Sequence, residues 1–262
     1  MAESTWRVGR NQNRVLSIGF VPSTLYGGLP GLVRKLRSRA PTLDIQLLEM
    51  LSTQQIAALK EGRIDIGFGR LRYTITAGLG PLGSDRGDSG MTYIVTAAEV
   101  PPFAPSVAVA TVPWTRNERA ATAGLKTTSY ADNVIALAHA KARGASEAIF
   151  GNNRDELCEA TGSNIFVVVD GVVRTPALSS APLAGITREL TIEWARAAGI
   201  EVVEEALPMS VLETCDEVFL TGTTRDVHPV HRVDDRELPA PGPVTTRVQQ
   251  AWAAASATEI NP

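Results

Sequence analysis

The stretch that decides the fold is Glu159-Ala-Thr-Gly-Ser-Asn-Ile-Phe-Val-Val-Val-Asp-Gly-Val-Val-Arg-Thr175. Residues 165–169 are an apolar run, residues 172–175 are Val-Val-Arg-Thr, both segments are rich in β-branched side chains, and Asp170-Gly171 separates them. An Asp-Gly pair between two such runs is typical of a two-residue hairpin turn. The sequence therefore predicts a β-hairpin over 165–175. Glu159 precedes it, either as a buried carboxylate or as a charge at a strand edge.

Helical and strand patterns alternate around this hairpin. Apolar residues recur at helical spacing in 131–143, and a second helix is predicted after Gly185. A closing helix is predicted at 245–255. Further short strands are predicted at 91–98, 106–112, 148–150, 200–203, 217–220 and 227–233. The pattern predicts an α/β fold for this part of the chain.

The first 72 residues show a regular alternation of their own. Strands are predicted at 15–22, 43–50 and 64–68, with helices at 25–39 and 53–61 between them. Strands joined by helices form parallel sheets with right-handed crossovers. We therefore predict a three-stranded parallel α/β half-domain, similar to periplasmic binding proteins, before the larger α/β domain.

A glycine-rich stretch separates the two parts. Residues 78–90 are rich in glycine and polar side chains, which is typical of an irregular loop. Gly78-x-Gly80-x-x-Gly83 has the spacing of a dinucleotide-binding turn, but Pro81 lies inside it and no helix can follow. We predict an α/β segment at 1–72, a linker at 73–90 and a second domain at 91–262.

Composition excludes several classes of protein. The chain has 262 residues, is 44% hydrophobic and carries a net charge of −3, which argues against nucleic acid as a partner. Its apolar runs are too short for a membrane helix, and we expect no signal peptide. Two cysteines and three histidines show no metal-ligand spacing. We predict a cytoplasmic protein without a metal site.

Lysine is rare, and one lysine has unusual surroundings. The four lysines are Lys35, Lys60, Lys126 and Lys141. No other charged residue occurs in 120–131 around Lys126. An amine among small uncharged neighbours can be desolvated and become a nucleophile. A solvated loop lysine is the alternative.

Three further strings complete a possible cofactor site. Glu159 supplies a carboxylate, Leu183-Ala-Gly-Ile-Thr-Arg188 opens a helix, and Thr221-Gly-Thr-Thr224 is a hydroxyl-rich turn. Pyridoxal phosphate needs such groups: a lysine to form an imine, a carboxylate to keep the pyridine nitrogen protonated, and a helix end with hydroxyls to hold the phosphate.

Residues from about 70 to 256 resemble the class IV aminotransferases of fold type IV, and most of all their 4-amino-4-deoxychorismate lyases. The resemblance rests on these strings, in the family's order and spacing: Leu125-Lys126-Thr-Thr-Ser-Tyr130, Glu159 to Phe166, Leu183 to Arg188, Asp216-Glu-Val-Phe-Leu-Thr-Gly-Thr-Thr224 and Gly242-Pro-Val-Thr245. Branched-chain aminotransferases carry Gly-Gly-Asn-Tyr after the lysine, whereas this chain has Thr-Thr-Ser-Tyr130.

The resemblance implies a pyridoxal 5'-phosphate enzyme and a role for each matched residue. Lys126 would form the Schiff base and move the proton, and Glu159 would pair with the pyridine nitrogen. The residues implied in phosphate binding are Ile186, Thr187 and Thr223. Thr224 would face the substrate carboxylate, and Tyr130 and Asn164 would be further cofactor neighbours. The substrate would be an amino acid or aminodeoxychorismate.

Residues 15–72 resemble something else, the first half of the effector-binding domain of LysR-type regulators. The matching strings include Ile18-Gly-Phe-Val-Pro-Ser-Thr24 and Glu61-Gly-Arg-Ile-Asp-Ile-Gly-Phe-Gly-Arg70. The resemblance implies that Ser23 and Thr24 face an aromatic carboxylate effector. No helix-turn-helix precedes this segment, so we do not expect a DNA-binding regulator. The chain is similar to a chimera of the two families.

Three hypotheses follow. The chain is a lyase or aminotransferase, an effector- or cofactor-binding fusion with little turnover, or a fragment without function. In class IV enzymes a whole N-terminal domain supplies an arginine to the phosphate and part of the substrate pocket. That domain is replaced here, so we expect impaired turnover. Whether the protein forms a homodimer is left open.

Overall fold

The structure is a computed structural model that describes residues 15–20, 29–50, 55, 58–59, 61–67, 70–82, 85, 87–98 and 103–258. It divides into two compact units. One consists of residues 1–102 with 256–261, and the other of residues 103–255 with residue 262. Each unit has its own sheet and its own buried residues, so each is described separately.

The first unit contains a small parallel sheet. Its elements are β1 (Val15–Phe20), α1 (Leu29–Arg39), β2 (Asp44–Glu49) and β3 (Ile66–Gly67). The strand order is β2-β1-β3, and both pairs are parallel, as predicted. Helix α1 buries Leu29 and Val33 in a cluster with residues of β1 and β2. Most of the helix predicted at 53–61 lies outside the described residues, and the likeness to periplasmic binding proteins stays a prediction.

A β-hairpin occupies the region predicted as a linker. Strand β4 (Arg70–Thr76) pairs antiparallel with β5 (Thr92–Ala98) over seven residue pairs. The described residues of the glycine-rich stretch lie between these two strands, and Gly78 and Gly90 adopt positive φ angles of 85° and 78° there. The division between the units falls after residue 102, which differs from the predicted boundaries at 72 and 90. The predicted boundaries followed from the glycine-rich composition of 78–90. The pairing of 70–76 with 92–98 instead places the residues on both sides of that stretch in one hairpin.

The second unit is built on a nine-stranded mixed sheet. The strand order is β11-β10-β9-β12-β13-β6-β7-β8, and β14 pairs with β13. The strands are β6 (Val107–Arg116), β7 (Glu147–Asn152), β8 (Leu157–Ala160), β9 (Asn164–Val169), β10 (Val172–Pro176), β11 (Val202–Glu205), β12 (Glu217–Gly222), β13 (Asp226–Val233) and β14 (Arg236–Glu237). The predicted hairpin is β9–β10, and its turn residues Asp170 and Gly171 have φ angles of 52° and 78°.

Four helices accompany this sheet. They are α2 (Ala131–Ala142), α3 (Ile186–Ala197), α4 (Val211–Thr214) and α5 (Pro243–Thr258), and a 3-10 turn covers Leu178–Ser180. Helix α2 buries Ala136 and Ala140 against alanines of β6 and β7. Helices α3 and α5 contribute Ile192 and Val248 to another cluster. Ile192 belongs to the apolar spacing predicted for α3, and it packs as predicted. The face predicted for α2, formed by Val134, Leu137, Ala138 and Ala142, is wrong: Val134 is 64% exposed, and the helix packs through the small residues Ala136 and Ala140 instead.

Strand β9 shows how the sheet separates two cores. Ile165 and Val167 belong to one cluster of buried side chains, whereas Phe166 and Val168 belong to another. Successive residues of a strand point to opposite faces of its sheet. Phe166 stacks on Phe219 of β12 with 4.8 Å between ring centroids. The apolar run in β9 therefore fixes the strand between both cores and places its polar first residue, Asn164, at the end of the sheet.

Three further observations concern the described part of the chain. None of its helices is long and apolar enough to cross a membrane. Its two cysteines, Cys158 and Cys215, are both unpaired and buried. Within the same residues, no three His, Cys, Asp or Glu side chains gather as metal ligands would.

Candidate functional site

A cavity of about 670 Å³ lies in the second unit. Its walls come from the end of β6 and the loop after it, the start of α2, residues 159–164 of β8 and β9, residues 181–187 before and at the start of α3, and residues 221–223 at the end of β12. The cavity is thus formed where several strands end and a helix begins. Such an arrangement gathers free backbone groups and polar side chains around one space.

Lys126 reaches this cavity from the loop between β6 and α2. Successive turns bend that loop, with hydrogen bonds from Ala123 N to the Ala120 carbonyl and from Leu125 N to the Thr122 carbonyl. The Lys126 ammonium donates to Tyr130 Oη over 3.4 Å. Lys126 is exposed, so its amine is not desolvated as its uncharged neighbours in sequence suggested.

Glu159 lies on β8, which pairs with β7. One carboxylate oxygen, Oε2, accepts a hydrogen bond from Leu183 N over 2.9 Å. The other, Oε1, lies 3.5 Å from Arg116 Nε. Burial raises the pKa of Glu159 above its ordinary value, while the Leu183 N–H and the Arg116 guanidinium act in the opposite direction. Both alternatives left open by the sequence hold in part: Glu159 lies on β8, the last strand of the sheet order, and its side chain, 17% exposed, faces the cavity.

The N-terminus of α3 borders the cavity without a side-chain cap. Gly185 is the residue before the helix, and no side chain accepts from the first helical N–H groups. Ile186 is 74% exposed, whereas Thr187 is buried. Uncapped N–H groups at a helix start attract anions, because they donate hydrogen bonds and carry the positive end of the helix dipole. The phosphate contact predicted at Ile186 and Thr187 stays a prediction, and its place is this uncapped helix start.

Glycine is required at position 185 by its neighbour Asn164. A Cβ atom at Gly185 would lie 2.2 Å from Asn164 Oδ1, closer than any real contact. Asn164 in turn donates from Nδ2 to the Leu183 carbonyl over 2.7 Å. This amide ties the end of β9 to the segment before α3, so Asn164 positions the helix N-terminus at the cavity wall.

The end of β12 brings hydroxyl groups to the same cavity. Thr221 is 1% exposed, and its Oγ1 has no hydrogen-bond partner in the structure. Thr223 is exposed and also lines the cavity. An unpartnered buried hydroxyl costs free energy, so it marks a place where a polar ligand atom is expected.

Most residues predicted for the site lie together. Those that line this one cavity are Lys126, Tyr130, Glu159, Asn164, Ile186, Thr187 and Thr223. Thr224 follows Thr223 in the turn but is not among the lining residues. Ser23 and Thr24 lie outside the described residues, so their predicted role in effector binding stays a prediction.

Sequence reasoning missed two residues of the cavity, Arg116 and Asn133. The Arg116 guanidinium lies over the Phe150 ring, 4.1 Å from its centroid, and donates to Asn133 Oδ1 over 2.8 Å. Asn133 donates onward to the Thr161 carbonyl. Arg116 ends a strand and Asn133 begins a helix, and neither position carries a motif. Pairing of β6 with β7 and β7 with β8 is what brings Arg116 to Glu159.

Comparisons with known proteins match the chain in two ways. The family model for amino-transferase class IV matches residues 33–233. The curated branched-chain-amino-acid aminotransferase of Escherichia coli is 38% identical over 126 residues, which are 47% of this chain and 41% of that protein. The "Probable cat1 operon transcriptional activator" of Acinetobacter lwoffii is 64% identical over 74 residues, 28% of this chain and 24% of that protein.

Two solved structures share the fold. An aminotransferase from Brucella abortus bound to the co-factor PLP has a TM-score of 0.67 and 26% identity, covering 81% of this chain and 78% of that one. A Legionella pneumophila structure named "Putative 4-amino-4-deoxychorismate lyase" has a TM-score of 0.68 and 22% identity over 76% of this chain and 73% of that one. The chain spans between a quarter and 60% of the first curated relatives. The comparisons thus bear out the predicted resemblance to two unrelated families.

Proposed function

The chain belongs to the amino-transferase class IV family, and we propose that it binds pyridoxal 5'-phosphate in the cavity beside Lys126 and acts on the amino group of a small amino acid or of aminodeoxychorismate. One observation carries the proposal. A primary amine, a partly buried carboxylate, an uncapped helix N-terminus and an unpartnered buried hydroxyl all line one cavity. These four groups correspond to the four needs of this cofactor.

The donor set fits both ends of the cofactor. The N–H groups of Ile186 and Thr187 at the helix start suit a phosphate, and the unpartnered Oγ1 of Thr221 adds a hydroxyl on the same side of the site as Thr223. Glu159 offers a carboxylate for a protonated ring nitrogen. Pyridoxal phosphate supplies an aldehyde that bonds covalently to an amine and a ring that accepts an electron pair.

Three residues of the cavity would then have separate roles in binding and proton transfer. Lys126 would hold the cofactor through Nζ and, once a substrate amine takes its place, move a proton to and from the substrate Cα. Tyr130, 3.4 Å from that Nζ, would orient it. Glu159 would face the ring nitrogen, and the Leu183 N–H and Arg116 beside it would favour its charged form. Burial of Glu159 strengthens its interaction with any cationic partner, because fewer water molecules screen it.

Family resemblance supports weak turnover rather than a full rate. In class IV enzymes an N-terminal domain supplies a charged phosphate contact and part of the substrate pocket, and residues 15–72 resemble an unrelated regulator instead. Loss of one charged hydrogen bond costs about 1.5–3 kcal/mol, roughly ten- to a hundredfold in affinity. A lyase and an aminotransferase share the same cofactor chemistry, and the choice between them depends on that pocket.

Titration with pyridoxal phosphate tests the proposal. The parent protein should develop a visible absorption band that saturates with one equivalent, and a Lys126→Ala variant should not. Lys141→Ala is the matched control, because Lys141 lies on α2 and does not line the cavity. A parent protein that develops no band would contradict the proposal. It would favour the alternative of an effector-binding module, testable by its binding of aromatic carboxylates.

A further inference from the structure

A buried ion pair lies beside the cavity and takes no part in the chemistry described so far. Glu147, the first residue of β7, is 3% exposed, and its Oε1 lies 2.7 Å from Arg225 Nη1. Arg225 lies in the turn between β12 and β13, and its guanidinium also faces the Phe103 ring at 4.9 Å from the centroid. Neither Glu147 nor Arg225 lines the cavity.

The same carboxylate binds the loop between β8 and β9. Glu147 Oε2 accepts from Gly162 N over 2.9 Å and from Thr161 Oγ1 over 3.2 Å, and Oε1 accepts from Ser163 Oγ over 2.8 Å. Three hydrogen-bond donors and the Arg225 cation therefore meet one buried carboxylate. Breaking one member of such a set is costly, because the remaining charge stays buried without its partner.

Both segments held by Glu147 are walls of the cavity. Residues 161–163 line it on one side, and residues 221–223, next to Arg225, line it on another. The two segments are adjacent along strands β9 and β12, whose residues Asn164 and Thr221 are paired. A single carboxylate thus fixes the ends of two neighbouring strands where they meet the cavity.

We propose that Glu147 and Arg225 are positioning residues that lock the 161–163 loop and the 222–225 turn in one arrangement, and that the lock sets how tightly the cavity holds the phosphate end of its ligand. The second half of this statement rests on the proposed function. Thr221 and Thr223 both line that side of the cavity: Thr221 lies on β12 directly before the turn, and Thr223 lies in the turn that Arg225 anchors.

A role in stability alone predicts different results from a role in positioning. Arg225→Met leaves Glu147 charged and buried without its cation, so it lowers stability in either case. Adding Glu147→Gln removes the unpaired charge, and the double variant should recover much of the lost melting temperature. Positioning would stay impaired in the double variant, because nothing ties the turn to the loop.

Ligand titration separates the two roles. We would measure the Kd of pyridoxal phosphate and of pyridoxal, which lacks the phosphate, for the parent, Arg225→Lys, Arg225→Met and the double variant. Arg225→Met and the double variant should each weaken pyridoxal phosphate binding about tenfold and leave pyridoxal within twofold. Arg225→Lys should lie between them and the parent. Equal losses for the two ligands, or full recovery in the double variant, would overturn the proposal.

Hydrogen exchange tests the lock without any ligand. Amides of 161–163 and of 222–225 should exchange faster together in Arg225→Met and in the double variant. Arg174→Met is the matched control, because Arg174 pairs with Glu205 and does not line the cavity, and it should leave both segments unchanged. Unchanged exchange in the Arg225 variants would overturn the proposal. If the parent binds no pyridoxal phosphate but both segments still exchange faster together in the Arg225 variants, the proposed function is refuted. The positioning role of Glu147 and Arg225 is then supported.

Discussion

Glu159 and Leu183 are joined by a hydrogen bond of 2.9 Å from the Leu183 backbone N–H to Glu159 Oε2. This bond ties strand β8 to the segment that leads into α3, so the carboxylate and the helix N-terminus keep a fixed separation across the cavity. A ligand with a basic ring nitrogen at one end and a phosphate at the other would be held at both ends.

Glu159→Gln should retain the cofactor and slow the chemistry. The amide keeps the shape of the side chain but cannot hold the ring nitrogen protonated. Removal of α-hydrogen should slow roughly 100-fold, the scale seen when one oriented electrostatic group is lost from a reacting centre. The measurement is exchange of the substrate α-proton in D₂O by NMR, with the occupancy checked by absorbance. Equal exchange rates in the variant and the parent would show that Glu159 is only structural.

Gly185→Ala should distort the helix N-terminus. The new Cβ would lie 2.2 Å from Asn164 Oδ1, so either the helix start or the Asn164 amide must move. Forced shifts of this kind cost about 1–3 kcal/mol, and phosphate affinity should fall with stability. Urea unfolding and cofactor titration give the two readouts, and unchanged values of both in Gly185→Ala would contradict the steric argument.

Glu156 should make stability depend on pH in the acid range. Hydrogen bonds from Arg154, Asn152 and Ser180 lower the pKa of Glu156 from 4.5 to about 2. A carboxylate with a lowered pKa stabilises the fold above its unfolded-state pKa and loses this contribution as the pH falls through its folded-state pKa. Glu156→Gln should therefore be less stable than the parent at pH 7, with a difference that shrinks below about pH 4.5.

Denaturant unfolding at pH 7, 4.5 and 3 measures this difference. Exposed Glu201→Gln is the control, and its difference from the parent should stay small at each pH. A Glu156→Gln difference that stays constant from pH 7 to pH 3 would show that the charge of Glu156 does not stabilise the fold.

The hairpin loop should be the first site of proteolysis. Leu79 and Leu82 are 82% and 107% exposed in the loop between β4 and β5. Exposed loops are cut in preference to paired strands. Limited proteolysis should cleave between Gly78 and Gly90 and leave a fragment that begins near Met91 and contains Lys126, identified by mass spectrometry. A chain that resists cleavage between Gly78 and Gly90 would contradict the prediction of an accessible loop there.

The sequence predicted those elements whose conformation depends on neighbouring residues in the chain. The β9–β10 hairpin follows from Asp170-Gly171, because these residues adopt positive φ angles readily, and helix α3 follows from its apolar spacing after Gly185. Strand β8 was not foreseen. It is only four residues long and includes a charge, so its strand conformation comes from pairing with β7, where Phe150 faces Glu159.

The contacts in the site that depend on the order of strands in the sheet could not be predicted from the sequence. Glu147 and Arg225 lie far apart in the chain and carry no motif, and only the placement of β7, β9 and β12 in one sheet unites them. Arg116 reaches Glu159 for the same reason. Motif residues such as Lys126 and Thr223 could be found from sequence, because the family resemblance marks them directly. The side chains that orient them could not.

The central claim is that Lys126 carries the cofactor, and borohydride reduction tests it most directly. The protein would be incubated with pyridoxal phosphate, reduced, digested and mapped by mass spectrometry. The account predicts one phosphopyridoxyl group on the peptide that contains Lys126, and loss of that label in Lys126→Ala. Label on Lys141, label spread over several lysines, or no label at all would contradict the account.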